Sequence, residues 1–411
     1  MRVLVVSATF PPVKSGGADY AFRLCQQLAG AGAEVHVLTS RIENVVTGLG
    51  ISVHPVMRRW SWPEMLRLIL IARRYRPDVI NLHFHGGLYN NHPMITLAPT
   101  LLKRVVPNTR WVTHIESPGG VRMGLSWPTR VVRRVVTHLI GRQGLDYEYG
   151  TILRDSDRVI LLSGSHRNAL AKHCADVDEK CVLIPPPPIL NMSTEENGAA
   201  RQRGREMLGV KPDEFLIMHY GYINPEKGIE TLLKALQSLS KQSCKVRLVM
   251  VGGHNDVLLK AFNRPNYVQE LHDLSAQLGV ADRVTWTGYY PSDSDHASLY
   301  LKGADVCVLP FNSGVYLNNS SFTAAAAHGL PIIATKGEFV ESPFVHQRNV
   351  LLVPPEDPEF LAAAVSTLMN NSELRQQLSK GALELAHEWF SWDKALERTI
   401  EAFKGDYPQT E

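Results

Sequence analysis

The clearest structural signal in the sequence is the stretch Phe215-Leu-Ile-Met-His-Tyr-Gly-Tyr-Ile-Asn-Pro-Glu-Lys-Gly-Ile-Glu-Thr-Leu-Leu-Lys-Ala-Leu-Gln-Ser-Leu-Ser240. It begins with a short apolar run, continues through a turn rich in Gly, Asn and Pro, and ends with leucines at helical spacing. This order is typical of one repeating unit of a parallel sheet. We therefore predict a strand at Phe215–Tyr220, a loop at Tyr220–Ile229 and a helix at Gly228–Ser240.

The same alternation of apolar strand, turn and amphipathic helix recurs along both halves of the chain. Such alternation indicates parallel sheets that are covered by helices. The first half is predicted to contain strands at Arg2–Ser7, Glu34–Leu38, Val79–Leu82, Trp111–His114 and Arg158–Leu162, with helices at Ala18–Gly30 and Pro63–Tyr75. The second half adds strands at Val246–Val251, Val284–Thr287, Val306–Pro310, Pro331–Ala334 and Val350–Val353, with helices at Tyr267–Leu278, Ser320–Gly329 and Pro358–Met369. We expect an α/β protein with two doubly wound domains.

The boundary between the two predicted domains lies near Pro185–Pro188 and the polar stretch Asn191–Arg205. Consecutive prolines favour an extended, semi-rigid backbone, so this segment is interpreted as a hinge. Open α/β sheets bind ligands beyond the carboxyl ends of their strands. Two such sheets that face each other would place the site in the cleft between them.

The composition excludes several classes of protein. The chain has 411 residues, 44% of them hydrophobic and 20% charged, which suits two folded domains rather than a disordered chain. No apolar run approaches the roughly 20 residues that span a bilayer, and Met1–Ser7 resembles a first strand more than a signal peptide. The five cysteines contain no Cys-x-x-Cys pair, so neither a disulfide framework nor a cysteine-rich zinc site is expected. These features predict a cytoplasmic location.

The net charge of +3 is distributed unevenly along the chain. Residues 1–190 contain 23 Lys and Arg against 13 Asp and Glu, whereas residues 191–411 contain 20 against 27. The positive charge of the first half is concentrated in Met57–Trp62, Arg73–Arg76 and Arg122–Arg142. Nucleic acid is not expected as a partner, because no nucleic-acid recognition motif accompanies the arginines.

The segment Arg122–Arg142 has the pattern of a basic amphipathic helix, with Trp127 near one end. Such a helix is typical of a protein that lies on an anionic membrane surface. The pattern is equally compatible with a core helix whose arginines face water. The apolar positions of the stripe are Val131, Val132, Val135, Val136, Leu139 and Ile140, and the polar positions are Arg130, Arg133, Arg134, His138 and Arg142.

Two loops that join a strand to a helix carry residues suited to an anion. In Phe10–Tyr20, Gly16 and Gly17 would let backbone N–H groups approach a phosphate at a helix N-terminus, although paired glycines often only turn a chain. In Tyr220–Ile229, Lys227 could neutralise a diphosphate, or could be an ordinary surface lysine beside a turn.

A third loop of this kind lies within Leu309–Pro331 and contains Gly314. It ends at Ser320 and Ser321, whose side chains are of the type that caps a helix N-terminus. A helix that begins there could present an anion site, or could be a well-capped core helix without a ligand.

His83 and His85 alternate at the end of a predicted strand and therefore point the same way. No further metal-ligating residue stands at a recognised spacing from these histidines. A loop that faces an acceptor substrate is therefore favoured over a metal site. Glu116 is a nearby carboxylate that could act as a base, although a loop carboxylate is more often held by neighbouring N–H groups. Gly119 and Gly120, just after it, are assigned to the acceptor side.

A series of short motifs runs in one order over nearly the whole chain. The series is Phe10-Pro-Pro with Gly16-Gly17, Pro77–Ile80, Thr113-His114, Val159–Ser163, Ile184–Pro188, Gly221 with Lys227-Gly228, Val249–Gly253, Val284–Tyr289, Ala304–Pro310, His328–Thr335, Asn349–Pro355 and Phe390–Trp392. In this order the motifs resemble those of the glycosyltransferases of family 4, which have the GT-B fold. The resemblance implies two Rossmann-like domains facing across a cleft. Residues 1–188 would form the acceptor side and 189–389 the donor side, with a C-terminal helix at about 390–411 packed back on the first domain.

The resemblance implies a retaining, metal-independent hexosyltransferase whose donor is a UDP- or GDP-linked nucleotide-sugar, with no other cofactor. The candidate catalytic residues are Lys227, His114, which matches the histidine that reaches the transferred sugar, and Glu116. The residues matched to the donor are Gly16, Gly17, Gly221, Tyr222 and Lys227 for the diphosphate, Gly288 and Tyr289 for the nucleobase, and Gly314, Val315, Tyr316 and Leu317, whose backbone N–H groups would bind phosphate and sugar hydroxyls, together with Ser320 and Ser321.

The chain departs from the family pattern at the donor site. The family has two glutamates, separated by seven residues, at the positions that hold Tyr316 and Ala324 here. An arginine of the family, which binds diphosphate, is replaced by Tyr222. We therefore expect Ser320 and Ser321, with the dipole of their helix, to take part of the donor-holding role.

The function expected from these observations is sugar transfer to a lipid-linked or glycan acceptor in envelope polysaccharide biosynthesis. The basic first half predicts peripheral contact with the inner face of an anionic membrane. Two alternatives stay open. One is transfer to a small soluble acceptor. The other, favoured by the absence of both family glutamates, is a non-catalytic GT-B protein that binds a nucleotide-sugar or a partner glycosyltransferase.

Overall fold

The computed structural model describes residues 1–48, 50–119, 127–140, 145–146, 148–242, 245–290 and 294–405. The chain divides into two compact units. Unit 1 contains Met1–Pro185 together with the segment that begins at Trp392, and unit 2 contains Pro186–Ser391. Each unit has its own parallel sheet and its own hydrophobic core. The α/β fold with two doubly wound sheets is thereby confirmed.

The described residues of unit 1 form a sheet of seven parallel strands. They are β1 (Arg2–Ser7), β2 (Glu34–Ser40), β3 (Ile51–Met57), β4 (Val79–Phe84), β5 (Arg110–Ile115), β6 (Arg158–Leu161) and β7 (Cys181–Leu183). Their order in the sheet is β3-β2-β1-β4-β5-β6-β7. The helices are α1 (Gly16–Gly30), α2 (Met65–Tyr75), α3 (Ala98–Val105), α4 (Trp127–Ile140), α5 (Ile152–Asp155), α6 (Ser165–Ala171) and α7 (Val177–Lys180).

Six parallel strands form the sheet of unit 2 in the part of the chain that the structure describes. They are β8 (Phe215–Tyr220), β9 (Val246–Val251), β10 (Val284–Gly288), β11 (Val306–Leu309), β12 (Ile332–Thr335) and β13 (Leu351–Val353), in the order β10-β9-β8-β11-β12-β13. The helices are α8 (Asn197–Met207), α9 (Ile229–Gln242), α10 (Asp256–Ala261), α11 (Tyr267–Gln277), α12 (His296–Gly303), α13 (Ser320–Ala327), α14 (Pro358–Asn370) and α15 (Ser372–Trp389). The last helix, α16 (Trp392–Lys404), belongs to unit 1 and packs on α1, β5 and β6.

In each sheet the order of the strands reverses between two central strands. These are β1 and β4 in unit 1, and β8 and β11 in unit 2. A doubly wound sheet binds its ligand beyond the carboxyl ends of the strands at such a point. The loops after β1, β4, β8 and β11 carry many of the predicted site residues, and others lie at or after the ends of β5 and β10. The topology therefore brings these loops to one edge within each unit.

Two strands of unit 1 are absent from the sequence prediction. β3 is buried only at its two end residues and contains Pro55, and β7 is only three residues long. Both lie at the edges of the sheet. Edge strands need no continuous apolar run and tolerate proline, so the apolar pattern that identified the central strands is missing from them.

None of the helices in the described parts of the chain is both long enough and apolar enough to cross a membrane. Cys25, Cys174, Cys181 and Cys307 are free thiols, and Cys244 lies outside the described residues.

Candidate functional site

The loop between β8 and α9 presents Lys227. Its Nζ atom lies 4.0 Å from the centre of the Phe311 ring, and no carboxylate lies within ion-pair distance of it among the residues that the structure describes. Burial lowers the pKa of Lys227 to about 8, against a smaller opposing effect of Glu226. His219, in β8, donates from Nδ1 to the carbonyl of Val308 at 3.0 Å, and its Nε2 has no partner among the described residues. Burial lowers the pKa of His219 to about 4, opposed by the hydrogen bond to Val308 and supported by the charge of Lys227. A desolvated ammonium without an anionic partner is suited to bind an anionic ligand.

The loop between β11 and α13 was predicted to offer the backbone N–H groups of Gly314–Leu317 to a ligand. The structure differs, because each of these groups already has an acceptor within unit 2. The acceptors are Phe311 O for Gly314 at 3.1 Å, Thr335 O for Val315 at 2.9 Å, Asn319 Oδ1 for Tyr316 at 2.6 Å and Glu341 Oε2 for Leu317 at 2.5 Å.

The N-terminus of α13 offers the donors that this loop lacks. Asn319 is the N-cap residue, so Ser320 and Ser321 lie in the first helical turn rather than at the predicted cap position. Their N–H groups have no acceptor in the described part of the chain, as is usual for a first turn. Ser321 is buried and lies against Gly221, where a Cβ would stand 2.4 Å from its Oγ. An anion at this helix end would meet two backbone donors and the positive end of the helix dipole.

Carboxylates reach the same loop from another part of the chain. Glu341 is only 2% exposed, and its Oε2 accepts the N–H group of Leu317 at 2.5 Å. The pKa of Tyr316 is raised by burial and by the charges of Glu338 and Glu341. Acidic groups thus surround the position at which the family has its first glutamate, although they come from the segment after β12. The sequence comparison, which follows collinear motifs, does not reveal this.

Two tyrosines stand at the carboxyl ends of β8 and β10. Gly288 ends β10, and the ring of Tyr289 covers Gly253, where a Cβ would lie 2.6 Å from it. The Tyr289 hydroxyl donates to the carbonyl of His254, and the rings of Tyr222 and Tyr289 are 6.3 Å apart in an edge-on arrangement. Tyr222, which replaces the arginine of the family, therefore belongs to an aromatic surface and supplies no positive charge.

In unit 1, Gly16 and Gly17 form the first turn of α1, which begins two residues earlier than predicted. Ser15 caps the helix by accepting the N–H group of Ala18 at 3.2 Å. The N–H groups of Gly16 and Gly17 have no acceptor within the described ranges. A Cβ on Gly17 would lie 2.7 Å from Oε2 of Glu116, so a carboxylate stands at the helix end that was predicted to face the donor phosphates.

A chain of polar side chains joins β4 to β5 beside this helix end. Nδ2 of Asn81 lies 2.9 Å from Nδ1 of His114, and Oδ1 of Asn81 lies 3.1 Å from Nε2 of His83. Nδ1 of His83 is 3.4 Å from Oε1 of Glu116. The rings of His83 and His114 stack with centres 4.7 Å apart. Sequence reasoning placed His83 in an acceptor-facing loop, but it is a buried residue of β4.

Several buried polar atoms of this cluster have no hydrogen-bond partner among the residues that the structure describes. They include Nε2 of His114, Nδ1 of His83 and the hydroxyl of Tyr20, with Nδ1 of His85 nearby in the chain. The Tyr20 ring is 6.0 Å from that of His114 and stacks at 6.0 Å on Trp392, the first residue of α16. Buried polar atoms are almost always satisfied by protein, water or ligand. The cluster therefore has unused capacity to bind a polar ligand.

The remaining acceptor-side candidates are only partly described. The N–H group of Gly119 donates to the Tyr149 hydroxyl at 3.0 Å, and Gly120 lies outside the described residues. His85 follows β4 and packs against Gly87. Within the described ranges, no group of three or more His, Cys, Asp or Glu side chains is arranged to hold a metal ion.

Sequence reasoning did not identify Asn81, Tyr20 or Glu341. A signal for Asn81 was present, because it is a polar residue inside the apolar strand Val79–Phe84, and a buried polar residue is more informative than an apolar one. No comparable signal exists for Glu341, since its loop carries several charged residues with no distinguishing pattern.

Comparison with known proteins agrees with this architecture. Residues 14–187 match the model of "Glycosyltransferase Family 4", and residues 200–384 match that of "Glycosyl transferases group 1". The crystal structure of Anabaena HepE in complex with UDP and glucose superimposes with a TM-score of 0.71 at 17% identity, covering 98% of this chain and 99% of that one.

Curated relatives are also glycosyltransferases. A D-inositol 3-phosphate glycosyltransferase of Xylanimonas cellulosilytica is 30% identical over 236 residues, which are 56% of this chain and 52% of that protein. The chain thus spans about half the length of that relative. A GDP-mannose-dependent alpha-(1-6)-phosphatidylinositol monomannoside mannosyltransferase of Mycobacterium tuberculosis is 25% identical over 98% of both chains. With two family models that together cover most of its length and a GT-B fold, this chain belongs to the glycosyltransferases of family 4.

Proposed function

We propose that this glycosyltransferase transfers a hexose with retention, and without a metal ion, from a UDP- or GDP-linked nucleotide-sugar to a lipid-linked or glycan acceptor in envelope polysaccharide biosynthesis. The observation that carries the proposal is the ammonium of Lys227, which is desolvated, has no carboxylate partner among the described residues and lies over Phe311. A diphosphate is the ligand class that such a cation fits.

The chemistry required of unit 2 is stabilisation of a leaving diphosphate. In a front-face reaction the bond between the sugar's anomeric carbon and the phosphate oxygen breaks. The acceptor oxygen then bonds to the same face, and its proton passes to the leaving phosphate. Lys227 and the free N–H groups of Ser320 and Ser321 would hold the developing negative charge. A single preorganised donor of this kind contributes about 3–4 kcal/mol to lowering a barrier, so this scheme requires no separate base.

The donor assignment is tested by nucleoside diphosphate release from UDP-glucose and from GDP-mannose. UDP-glucose is bound in a HepE complex, and the mycobacterial relative is named for its dependence on GDP-mannose. We expect nucleoside diphosphate to be released only when an acceptor is present, and at an unchanged rate when EDTA is added. The product should retain the anomeric configuration of the donor. Release abolished by EDTA contradicts metal independence, and an inverted product contradicts the front-face reaction.

The two relatives are named for different acceptors. The one from Xylanimonas is named for D-inositol 3-phosphate and the mycobacterial one for phosphatidylinositol monomannoside. Supplying D-inositol 3-phosphate and a glycolipid extract in parallel separates these two cases. Donor binding without release in either case supports the non-catalytic alternative, to which the absent glutamates at Tyr316 and Ala324 point.

Helix α4 of unit 1 supports membrane contact. Trp127 is 72% exposed, and Val131 and Val135 are also exposed. Among the stripe residues whose burial the structure describes, Val136 is buried and Val132 is half-buried, so the apolar stripe is partly exposed. Arg130 and Arg134 are exposed beside the apolar residues. An apolar row flanked by arginines suits the interface of an anionic bilayer, and we place the protein at the cytoplasmic face of the membrane.

Exchange of Arg130 and Arg134 for glutamine is expected to weaken binding to anionic vesicles about 30-fold, because each arginine contributes about 1 kcal/mol near such a surface. The measurement is co-sedimentation with phosphatidylglycerol vesicles at low salt, where the wild type should bind and then release at high salt. Arg104→Gln, an exposed arginine of α3 in the same unit, is the matched control and should change little. Wild-type protein that stays in the supernatant at low salt contradicts the membrane assignment.

A further inference from the structure

Asn81 is a fully buried residue of β4 whose amide group has three polar neighbours. Nδ2 lies 3.3 Å from the backbone carbonyl of Val112 and 2.9 Å from Nδ1 of His114. Oδ1 lies 3.1 Å from Nε2 of His83. The backbone register fixes these distances, because His83 pairs with His114 and Asn81 with Val112 in adjacent parallel strands.

The carbonyl of Val112 determines how this network is protonated. A carbonyl can only accept a hydrogen bond, so the amide nitrogen of Asn81, and not its oxygen, must face β5. The reverse orientation would place two oxygens 3.3 Å apart in a buried position. Since Nδ2 is a donor, Nδ1 of His114 must accept, and its ring proton must stand on Nε2. By the same reasoning Oδ1 of Asn81 accepts from Nε2 of His83.

His114 is held as a neutral ring with a single proton. Its pKa is lowered well below the usual range, first by burial and then by the charge of His83. The side chains that face it are His83 and Tyr20, with Glu116 beyond His83. Nε2 of His114 is buried and has no partner in the described part of the chain. The result is a buried N–H donor with no acceptor.

We propose that Asn81 is a positioning residue that locks His114 in the Nε2–H tautomer, and thereby gives an N–H donor to the histidine that the family resemblance matches to the transferred sugar. The sugar as the acceptor of this hydrogen bond rests on the proposed function, whereas the tautomer follows from the contacts of Asn81 alone. In this state Nε2 carries a proton and no lone pair, so His114 cannot act there as a general base.

The tautomer is measured directly by long-range ¹H–¹⁵N correlation NMR on the full chain labelled with ¹⁵N-histidine. The His114 signals are assigned by their loss in His114→Gln. We expect the wild type to show a protonated Nε2 and an unprotonated Nδ1. A His114 ring protonated on Nδ1 alone overturns the proposal, whatever the protein is later found to transfer.

Asn81→Asp provides the second measurement, because a carboxylate in place of the amide can only accept. The proposal then requires Nδ1 of His114 to become protonated. Asn108→Asp, at an exposed asparagine of the same unit, adds the same charge and should leave the His114 signals unchanged. A His114 ring that keeps an unprotonated Nδ1 in Asn81→Asp refutes the role of Asn81. Should this variant fail to fold, the wild-type spectrum still decides.

The contact with sugar is tested by comparing the affinities for UDP-glucose and for UDP, or for GDP-mannose and GDP. His114→Leu is expected to weaken binding of the nucleotide-sugar about tenfold relative to its nucleoside diphosphate, as for loss of a buried hydrogen bond. His114→Gln, whose amide can donate near the position of Nε2, should restore most of it. An unchanged ratio in His114→Leu overturns the sugar contact. Absence of any nucleotide binding by the wild type instead refutes the proposed function, and the NMR result stands apart from it.

Discussion

Lys227→Met is expected to lower kcat of nucleotide-sugar transfer by about 10²- to 10³-fold while the protein stays folded. The substitution keeps an unbranched side chain that is one atom shorter, and it removes the charge together with the three N–H donors. The ammonium has no carboxylate partner in the described ranges, so no buried anion is left unpaired in the variant. What is lost is the stabilisation of charge that develops on the leaving diphosphate, for which one preorganised donor typically contributes about 3–4 kcal/mol.

Lys234→Met is the matched control, because Lys234 is an exposed lysine on the adjacent helix α9. It should leave kcat and the affinity for UDP or GDP within about twofold of the wild type. Single-turnover rates separate the chemical step from product release. A Lys227→Met enzyme that turns over at the wild-type rate would remove the central observation on which the proposed function rests.

The pH dependence of kcat/KM is an independent test of the role of Lys227. The pKa of Lys227 is lowered to about 8, so the free protein carries the charge below pH 8 and loses it as the pH rises through that value. We expect kcat/KM to fall above pH 8. A bound diphosphate favours the charged form, so the alkaline limb of kcat should lie at higher pH. Lys227→Arg, which cannot lose its proton in this range, should abolish the limb.

The sequence predicted the parts of the fold that depend on continuous apolar runs. The central strands β1, β4, β8 and β9 lie at or within two residues of their predicted positions, because strands buried on both faces of a parallel sheet are predominantly apolar. The edge strands β3 and β7 carry no such requirement and were missed. The extent of α13 was predicted well, but its cap was not, since Asn319, Ser320 and Ser321 all have side chains that can cap a helix.

The site was predictable as a set of loops but not as a set of contacts. Topology places the loops after β1, β4, β8 and β11 at the switch points of the two sheets, which the strand alternation alone implies. Whether a backbone N–H group in such a loop is free depends on residues distant in sequence. Glu341 takes the N–H group of Leu317 from 24 positions away, and Asn81 meets His114 from 33 positions away. No local sequence pattern predicts either of these long-range contacts.

Gly228→Ala is expected to destabilise unit 2 by about 3 kcal/mol or more and to abolish binding of UDP and GDP. Two effects add at this position. The backbone of Gly228 is in the left-handed region at φ 62°, which costs an alanine about 1–2 kcal/mol. In addition, a Cβ there would lie 1.9 Å from the carbonyl oxygen of Pro310. That oxygen is part of a backbone and cannot rotate away, so one of the two loops must move.

The displaced loops are those that hold the cation and its aromatic neighbour. The N–H group of Asn312 donates to Glu226 O at 3.0 Å, and its Nδ2 donates to Pro225 O at 3.0 Å, so the two loops are docked through the residues on either side of the contact. Separating them moves Lys227 away from Phe311. The effect on ligand binding should therefore exceed the effect of lost stability, and it should persist at temperatures where the variant is fully folded.

Gly279→Ala separates backbone strain from the steric clash. Gly279 has φ 70°, close to that of Gly228, but a Cβ there would have no neighbour within 4 Å. This control should be destabilised only by the cost of the left-handed conformation, about 1 kcal/mol. It should bind nucleotide like the wild type. Thermal unfolding followed by circular dichroism, with nucleotide titration below the transition, measures both quantities. Equal losses of stability and nucleotide affinity in the two variants would mean that the loop carrying the Pro310 carbonyl moves without cost. Gly228 would then be required only for the left-handed turn. The difference between the two variants therefore measures how rigidly the fold holds Lys227 in position.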